Sequence, residues 1–178
     1  MAERGLVHVY TGSGKGKTSA ALGLALRAMG HGQRVAVFQF AKPPDGPSGE
    51  IALGKRLKHL EIFRFPNQYP TYGPLSDQER KEMRASTQEA LDQAAEAAGG
   101  GKYDVVILDE INPLIRQKLA NLRRILQLIR GRADGCEIVL TGRDAPAELI
   151  AVADYVTEFI EVKHPFQKGT PARKGIEF

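Results

Sequence analysis

The chain has 178 residues, of which 42% are hydrophobic and 26% charged, a composition typical of one globular domain with a sizeable core. The net charge of +4 suits anionic ligands such as nucleotides, and no basic arm of the kind that binds nucleic acid is present. A single cysteine, Cys136, excludes an intrachain disulfide. The short polar start MAERG and the lack of an apolar run near the ~18–20 residues of a membrane span predict a cytoplasmic protein that crosses no membrane.

The first predicted elements are a strand, a glycine-rich loop and a helix. The apolar run LVHVY is followed by TGSGKGKT at 11–18 and by the helical pattern SAALGLALRAMG. Gly12, Gly14 and Gly16 can adopt backbone angles closed to other residues, so their N–H groups can face an anion next to the positive end of the helix dipole. This succession of strand, glycine-rich loop and helix therefore predicts a phosphate-binding loop rather than an ordinary glycine-rich turn.

The end of this loop carries the candidate chemistry. Lys17 can reach phosphate oxygens, and the Thr18 hydroxyl is placed to ligate a magnesium ion. The loop departs from the usual pattern because Thr11 takes the place of its first glycine. Lys15 adds a charge that most such loops lack. We interpret the loop as a variant form.

An apolar strand at 34–40 completes a βαβ unit. The proline- and glycine-rich segment 41–49 follows it at the edge where open α/β sheets bind ligands, and forms either a wall of the site or a plain surface connection. A short helix at 48–59 and a short strand at 62–65 come next. The segment 66–74, PNQYPTYGP, is either a binding surface for a flat apolar partner or a loop whose rings anchor on the core.

The second chemical landmark is VVILDE at 105–110, which follows a long helix that a capping box opens at Ser76. Four apolar residues and two acids predict a buried strand that brings Asp109 and Glu110 to the edge where a magnesium–phosphate complex would lie. Because side chains alternate along a strand, only one of the two acids readily faces the loop.

The last third continues the alternation of helix and strand. One helix is predicted from Asn112 to Ile129, followed by a buried strand at 137–142. Arg143, after that strand, could hold a phosphate or a carboxylate with its planar fork, and Asp144 is expected to cap a helix at 145–152. A final strand is predicted at 155–163, and a basic tail at 164–178 could cover a ligand or a partner subunit.

The whole chain, 1–178, therefore predicts an α/β fold: one three-layer P-loop NTPase-like (RecA-like) domain with a mostly parallel sheet of about 5–6 strands. Its motifs resemble the P-loop ATP:corrinoid adenosyltransferases, which make adenosylcobalamin. The resemblance rests on TGSGKGKT, VAVFQF, VVILDE and TGRDAP, and on the ending ADYVTEFIEVKHPFQKGTPARKGIEF. It implies transfer of the 5′-deoxyadenosyl group of ATP to the Co(I) centre of a corrinoid, with release of triphosphate.

The resemblance also implies roles for residues. Lys17 and Lys15 would neutralise the triphosphate and serve catalysis, and Thr18 with Glu110, or else Asp109, would handle Mg²⁺ (or Mn²⁺). The ATP contacts would come from Gly12, Ser13, Gly14, Lys15, Gly16, Lys17, Thr18 and Arg143. The corrinoid contacts would come from Phe65, Tyr69 and Tyr72, with Tyr72 or Tyr69 displacing the lower axial ligand. A flavodoxin-like electron donor and a homodimer are expected from the same resemblance.

Two alternatives come from other classes of protein. A P-loop kinase of a small molecule would release ADP rather than triphosphate. A RecA-like ATPase would respond to DNA or RNA with salt-sensitive binding, and the sequence offers little basic patterning for it.

Overall fold

The computed structural model describes residues 4–40, 42, 48–65 and 75–176. Six short runs rich in β-branched and aliphatic residues form one sheet in the order β3-β2-β4-β5-β1-β6, and every strand pair is parallel. The strands are β1 (Val7–Thr11), β2 (Val35–Gln39), β3 (Leu60–Arg64), β4 (Val105–Asp109), β5 (Glu137–Thr141) and β6 (Tyr155–Glu158). The predicted sheet of mostly parallel strands is confirmed.

Helices cover both faces of the sheet, which gives three layers. They are α1 (Lys17–Gly30), α2 (Gly49–Gly54), α3 (Asp77–Gly99), α4 (Ile111–Arg116), α5 (Leu122–Arg130) and α6 (Ala147–Val152). Small residues of α1, including Ala21 and Ala25, pack with Val37 and Ile107 on one face. The larger cluster on the other face joins residues of α3 to α6 to alternate residues of the same strands. The predicted three-layer α/β domain is therefore confirmed.

The single helix expected from Asn112 to Ile129 is wrong, because two helices occupy this stretch. The chain turns at Lys118, which has a left-handed φ of 58°, and the N–H of Leu119 bonds back to the carbonyl oxygen of Leu114 at 2.8 Å. The Asn121 side chain then caps α5 by accepting the N–H of Arg123. This break lets Leu119 bury its side chain in the core.

Two further expectations near the C-terminus are corrected. Pro146, not Asp144, takes the N-cap position of α6, because Asp144 has a left-handed φ of 57° and pairs with Arg116. The last strand ends at Glu158 rather than at residue 163.

The parallel topology places the final residues of the strands at one edge of the sheet. Thr11, Gln39, Asp109 and Thr141 end β1, β2, β4 and β5 there, and the register pairs Gln39 with Asp109. Among the described residues, no helix is both long and apolar enough to cross a bilayer. The carboxyl edge is thus where the predicted chemical groups meet.

Candidate functional site

A cavity of about 560 Å³ opens at this edge, over the loop between β1 and α1. Its walls come from the glycine-rich loop, the start of α1, the ends of strands β2, β4 and β5, and the C-terminal tail. The lining residues with charged or titratable side chains are Lys15, Lys17, Lys42, Glu50, Glu110, Arg143, Glu161 and His164. Four of these are permanent cations and three are carboxylates, so the cavity holds opposite charges close together.

The glycines of the loop are required by its path. Gly12 and Gly16 have φ of 96° and 117°, a region that favours glycine. A Cβ on Gly12 would lie 2.4 Å from the carbonyl oxygen of Phe159, and one on Gly14 would lie 2.8 Å from the carbonyl carbon of Ile160. The N–H of Gly14 bonds to the Phe159 carbonyl at 2.7 Å, so this amide holds the loop to the segment after β6 and does not point at the cavity.

The unusual first residue of the loop also has a structural partner. The Oγ1 of Thr11 accepts the backbone N–H of Ala145 at 3.1 Å. This bond ties the start of the loop to the segment that carries Arg143, which is exposed and lines the cavity. The β-branched residue therefore replaces glycine at a point where its hydroxyl joins two parts of the site.

Lys17 is buried at the base of the loop, with 7% of its surface exposed. Its Nζ donates to the carbonyl oxygens of Gly12 and Gly14 at 2.8 and 2.7 Å. Burial lowers the pKa of the Lys17 ammonium, and nearby Arg143 lowers it further, whereas Glu110 raises it. The side chain thus fastens the loop and holds a positive charge at its centre.

The two predicted acids take different positions. Asp109 is 1% exposed, and its Oδ1 accepts the hydroxyls of Thr18 and Thr141, each at 2.8 Å. Glu110 instead lines the cavity. Burial, with help from the charge of Asp109, raises the pKa of the Glu110 carboxyl, while Lys17, Lys42 and Arg143 act to lower it. One acid therefore lies beneath the site and the other faces it.

These groups fit a hard divalent cation. The hydroxyl of Thr18 donates its proton to Asp109, which leaves the lone pairs of its oxygen for a metal. The Glu110 carboxylate would be a second oxygen ligand, and Mg²⁺ prefers one or two such groups together with water and substrate phosphates. Among the residues that the structure describes, no cluster of three or more His, Cys, Asp or Glu side chains could hold a metal alone. Water and substrate phosphates would complete the shell.

Sequence analysis missed a polar network beside the acids. The Nζ of Lys42 lies 3.2 Å from Oδ2 of Asp109 and 3.1 Å from Oε1 of Glu50. Gln39, fully buried at the end of β2, donates to Glu50 at 3.2 Å and accepts Nε of Arg64 at 2.8 Å. The polar Gln39 at the end of an apolar strand was the signal that could have found it.

The two pairings of Lys42 differ in kind. Its bond to Glu50 meets hydrogen-bond geometry. Its approach to Oδ2 of Asp109 is an ion pair without that alignment, so this buried oxygen has no hydrogen bond from the described residues. Segment 41–49 was expected either to wall the site or to be a surface connection, and two of its described residues, Lys42 and Gly49, line the cavity together with the adjoining Glu50.

The predicted corrinoid contacts lie only partly within the described residues. Phe65 is 7% exposed and stacks with Phe38 and Phe40, each at a ring-centroid distance of 6.2 Å. Tyr69 and Tyr72 fall in 66–74, outside the described residues. The structure thus places Phe65 in the core, directly before that segment.

Cys136 takes no part in the site. It is 1% exposed directly before β5, where burial, the largest influence, raises the pKa of its thiol to about 11. A thiol in this state is not ionised at neutral pH and is a poor nucleophile. The interpretation of Cys136 as a buried structural residue is confirmed.

Comparison with known proteins gives a consistent result. A model of the family described as ATP:corrinoid adenosyltransferase BtuR/CobO/CobP matches residues 3–178. The chain is 36% identical over 176 residues to the corrinoid adenosyltransferase of Pseudomonas aeruginosa, covering 99% of this chain and 85% of that protein. It is 35% identical over 177 residues to that of Escherichia coli, covering 99% and 87%. It is 33% identical over 177 residues to the corrinoid adenosyltransferase CobA of Salmonella typhimurium, with the same coverage.

Proposed function

The chain belongs to the ATP:corrinoid adenosyltransferase family, and we propose that its glycine-rich loop holds the triphosphate of ATP while the adenosyl group moves to a corrinoid. The chain is a transferase that adenosylates corrinoids with ATP. The observation that carries the assignment of the site is the convergence of the loop, Glu110 and Arg143 on one cavity.

The reaction displaces a leaving group from carbon. The Co(I) centre of the corrinoid, which is the substrate, supplies an electron pair to C5′ of ATP. The new Co–C bond forms as the bond between C5′ and the triphosphate oxygen breaks, and cobalt becomes formally Co(III). Co(I) is already a strong nucleophile and carries no proton to remove, so no Ser, Cys or His base is needed.

The protein must therefore align C5′ with cobalt and stabilise negative charge on the departing triphosphate. The fixed loop and the cations of Lys17, Lys15 and Arg143 would supply that charge. Thr18 and Glu110 would hold Mg²⁺ or Mn²⁺, which when bound adds further positive charge next to the phosphates. Asp109 would hold Thr18 from beneath through its 2.8 Å hydrogen bond.

The corrinoid side of the site follows the family expectation. Tyr72, or else Tyr69, would displace the lower axial ligand of cobalt, which eases its reduction to Co(I). Phe65 also stays a candidate corrinoid contact, and its stacking in the core favours a role in fixing the start of the segment. A flavodoxin-like protein would supply the electron, and the chain would act as a homodimer.

The role of Tyr72 can be separated from general damage. Tyr72→Ala should slow turnover of Co(II) corrinoid with a reductant much more than turnover of chemically prepared Co(I), because only the first assay needs the axial ligand removed. The measurement is the ratio of the two rates, with Tyr69→Ala alongside. Equal losses in both assays for both variants would remove the axial-ligand role.

The decisive experiment is an anaerobic incubation of the protein with ATP, Mg²⁺ and a Co(I) corrinoid. We expect the absorption spectrum of a cobalt–carbon bond to appear together with one equivalent of inorganic triphosphate. A P-loop kinase would instead give ADP with an acceptor phosphate. ADP formation without a cobalt–carbon bond would overturn the proposal.

A further inference from the structure

Thr141, the last residue of β5, is a fully buried polar side chain beneath the cavity. Its hydroxyl oxygen accepts the backbone N–H of Glu110 at 2.9 Å. The same hydroxyl donates its proton to Oδ1 of Asp109 at 2.8 Å. One side chain thus contacts both members of the acidic pair, in two different ways.

The bond to Glu110 holds an unfavourable backbone. Glu110 has φ 61° and ψ 32° at the N-cap of α4, a left-handed conformation that is unfavourable for a residue other than glycine and persists only where the surroundings enforce it. Its N–H precedes the first turn of the helix and has no partner within that helix. Thr141 provides the acceptor, and so fixes the direction in which the Glu110 side chain leaves the chain towards the cavity.

The hydrogen bond from Thr141 to Asp109 helps to hold the Asp109 carboxylate beneath Thr18. Oδ1 of Asp109 accepts both Thr18 and Thr141, which joins α1, β4 and β5 at a single atom. With its proton committed to this oxygen, Thr18 keeps its lone pairs for a ligand above. Loss of Thr141 would remove one of the two hydroxyl donors that hold Oδ1 of Asp109 in place.

The residue after Thr141, Gly142, contacts the turn between β4 and α4. Gly142 has φ 129°, and a Cβ there would lie 2.4 Å from Cδ of Pro113. Its carbonyl oxygen accepts Nδ2 of Asn112 at 3.0 Å. The Thr-Gly ending of β5 therefore contacts the β4–α4 turn through a hydroxyl, a carbonyl and a close packing contact.

From these contacts we propose that Thr141 is a positioning residue for the metal–nucleotide complex: its one hydroxyl aims Glu110 into the cavity and holds Asp109 under Thr18. The inference rests on the proposed function in so far as Thr18 and Glu110 hold the metal. It adds that the ligand geometry is set from β5, by a buried residue that does not line the cavity.

The test compares Thr141→Val with Thr141→Ser. Valine keeps the shape and loses both hydrogen bonds, whereas serine keeps the hydroxyl. The probe is Mn²⁺, titrated into protein with one equivalent of ATP and followed by the loss of its free-ion electron paramagnetic resonance signal beyond the loss that the same ATP causes without protein. Loss of a group that orients metal ligands costs about 10–100-fold in metal affinity. We expect that loss for Thr141→Val and a change within about threefold for Thr141→Ser, with metal-free ATP binding unchanged in both.

Thermal melting checks that the variants fold. Should Thr141→Val fail to fold, Thr141→Ala, which also removes the hydroxyl, takes its place with the same expected loss. The proposal would be overturned if the variant without the hydroxyl, Thr141→Val or Thr141→Ala, bound Mn²⁺ as tightly as the natural protein. It would also be overturned if Thr141→Ser lost as much Mn²⁺ affinity as that variant. Absence of Mn²⁺ binding in the natural protein would overturn it together with the metal assignment. Failure to form a cobalt–carbon bond while this binding pattern holds would instead remove the proposed function alone.

Discussion

Lys17 and Lys15 stand two residues apart in the loop, but the structure gives them different surroundings. Lys17 is buried and bonds to two loop carbonyls, whereas Lys15 is exposed at the rim of the same cavity. A charge held in a low-dielectric site acts more strongly on a developing anion than one screened by water. We therefore expect the two lysines to contribute unequally to the rate.

Lys17→Ala should reduce the single-turnover rate of adenosylation by about 100–1,000-fold, the range found when one preorganised donor to a developing anion is removed. Lys15→Ala should cost less, and its effect should shrink as salt is raised. Rapid mixing of Co(I) corrinoid with ATP measures both, and Lys81→Ala, exposed on α3, is the control. Activity of Lys17→Ala near that of the control would contradict the assignment of the loop.

Two glycines offer a matched pair for testing the shape of the loop. Gly12 has φ 96°, and a Cβ on it would meet the carbonyl oxygen of Phe159. Gly23 lies in α1, and a Cβ on it would point into open space. Gly12→Ala should destabilise the fold by about 1–3 kcal/mol because the backbone must shift. Gly23→Ala should stabilise it by about 0.5–1 kcal/mol because alanine favours a helix.

Urea unfolding measures both changes, and ATP binding should be lost only in Gly12→Ala. Equal stability of the two variants would show that the contact between the loop and residue 159 does not constrain the chain.

At the scale of the element, α2 is held to the sheet mainly by polar contacts. It spans only Gly49–Gly54 and buries no residue. Its Glu50 carboxylate accepts Nζ of Lys42 and Nε2 of Gln39. Burial acts to raise the pKa of this carboxyl, but the hydrogen bond from its own backbone N–H and the contacts with Lys42 and Gln39 outweigh it and lower the pKa to about 2.

A pH dependence follows from this shift. A carboxyl whose pKa falls on folding stabilises the folded state above its unfolded value, near 4.5, and this contribution disappears as pH falls through about 2. The natural protein should therefore be more stable than Glu50→Gln at pH 6, by on the order of 1 kcal/mol for a partly exposed pair. The difference should vanish towards pH 2. Denaturant unfolding across this range measures it.

Lys42→Met should lower the free energy of unfolding at pH 6 by most of the amount that Glu50→Gln lowers it, since this variant takes away the partner charge of Glu50. A constant difference between the natural protein and Glu50→Gln from pH 6 to pH 2 would show that the carboxylate charge is not the stabilising feature.

The elements also show how far sequence alone could go. Strands β1 to β5 and α1 were predictable because their apolar runs and the loop pattern are local features. The break at Lys118 was not, because the apolar stripe continues across it and only the burial of Leu119 in the folded core decides it. Likewise VVILDE indicated two acids at the sheet edge, but the contact of Thr141 with both depends on the neighbouring strand β5.

At the scale of the whole molecule, the C-terminal part of the chain lies outside the buried core but lines the cavity. After Leu149 no described residue is buried, yet Glu161 lines the cavity together with three residues of the tail at 164–178, namely His164, Gly175 and Ile176. Free energy of folding comes mainly from buried apolar surface, so the tail contributes little to it. Its position at the cavity predicts a role in holding the nucleotide.

Deletion of residues 164–178 should therefore leave the melting temperature of the nucleotide-free protein within a few degrees of the natural value. The same deletion should weaken binding of Mg²⁺–ATP by about tenfold or more, which corresponds to 1.4 kcal/mol of lost contact. Because a ligand stabilises only the state it binds, the rise in melting temperature on adding Mg²⁺–ATP should shrink in the truncated protein. A large fall in stability without nucleotide would mean that the tail holds the fold, and an unchanged nucleotide-dependent rise would mean that it does not close the site.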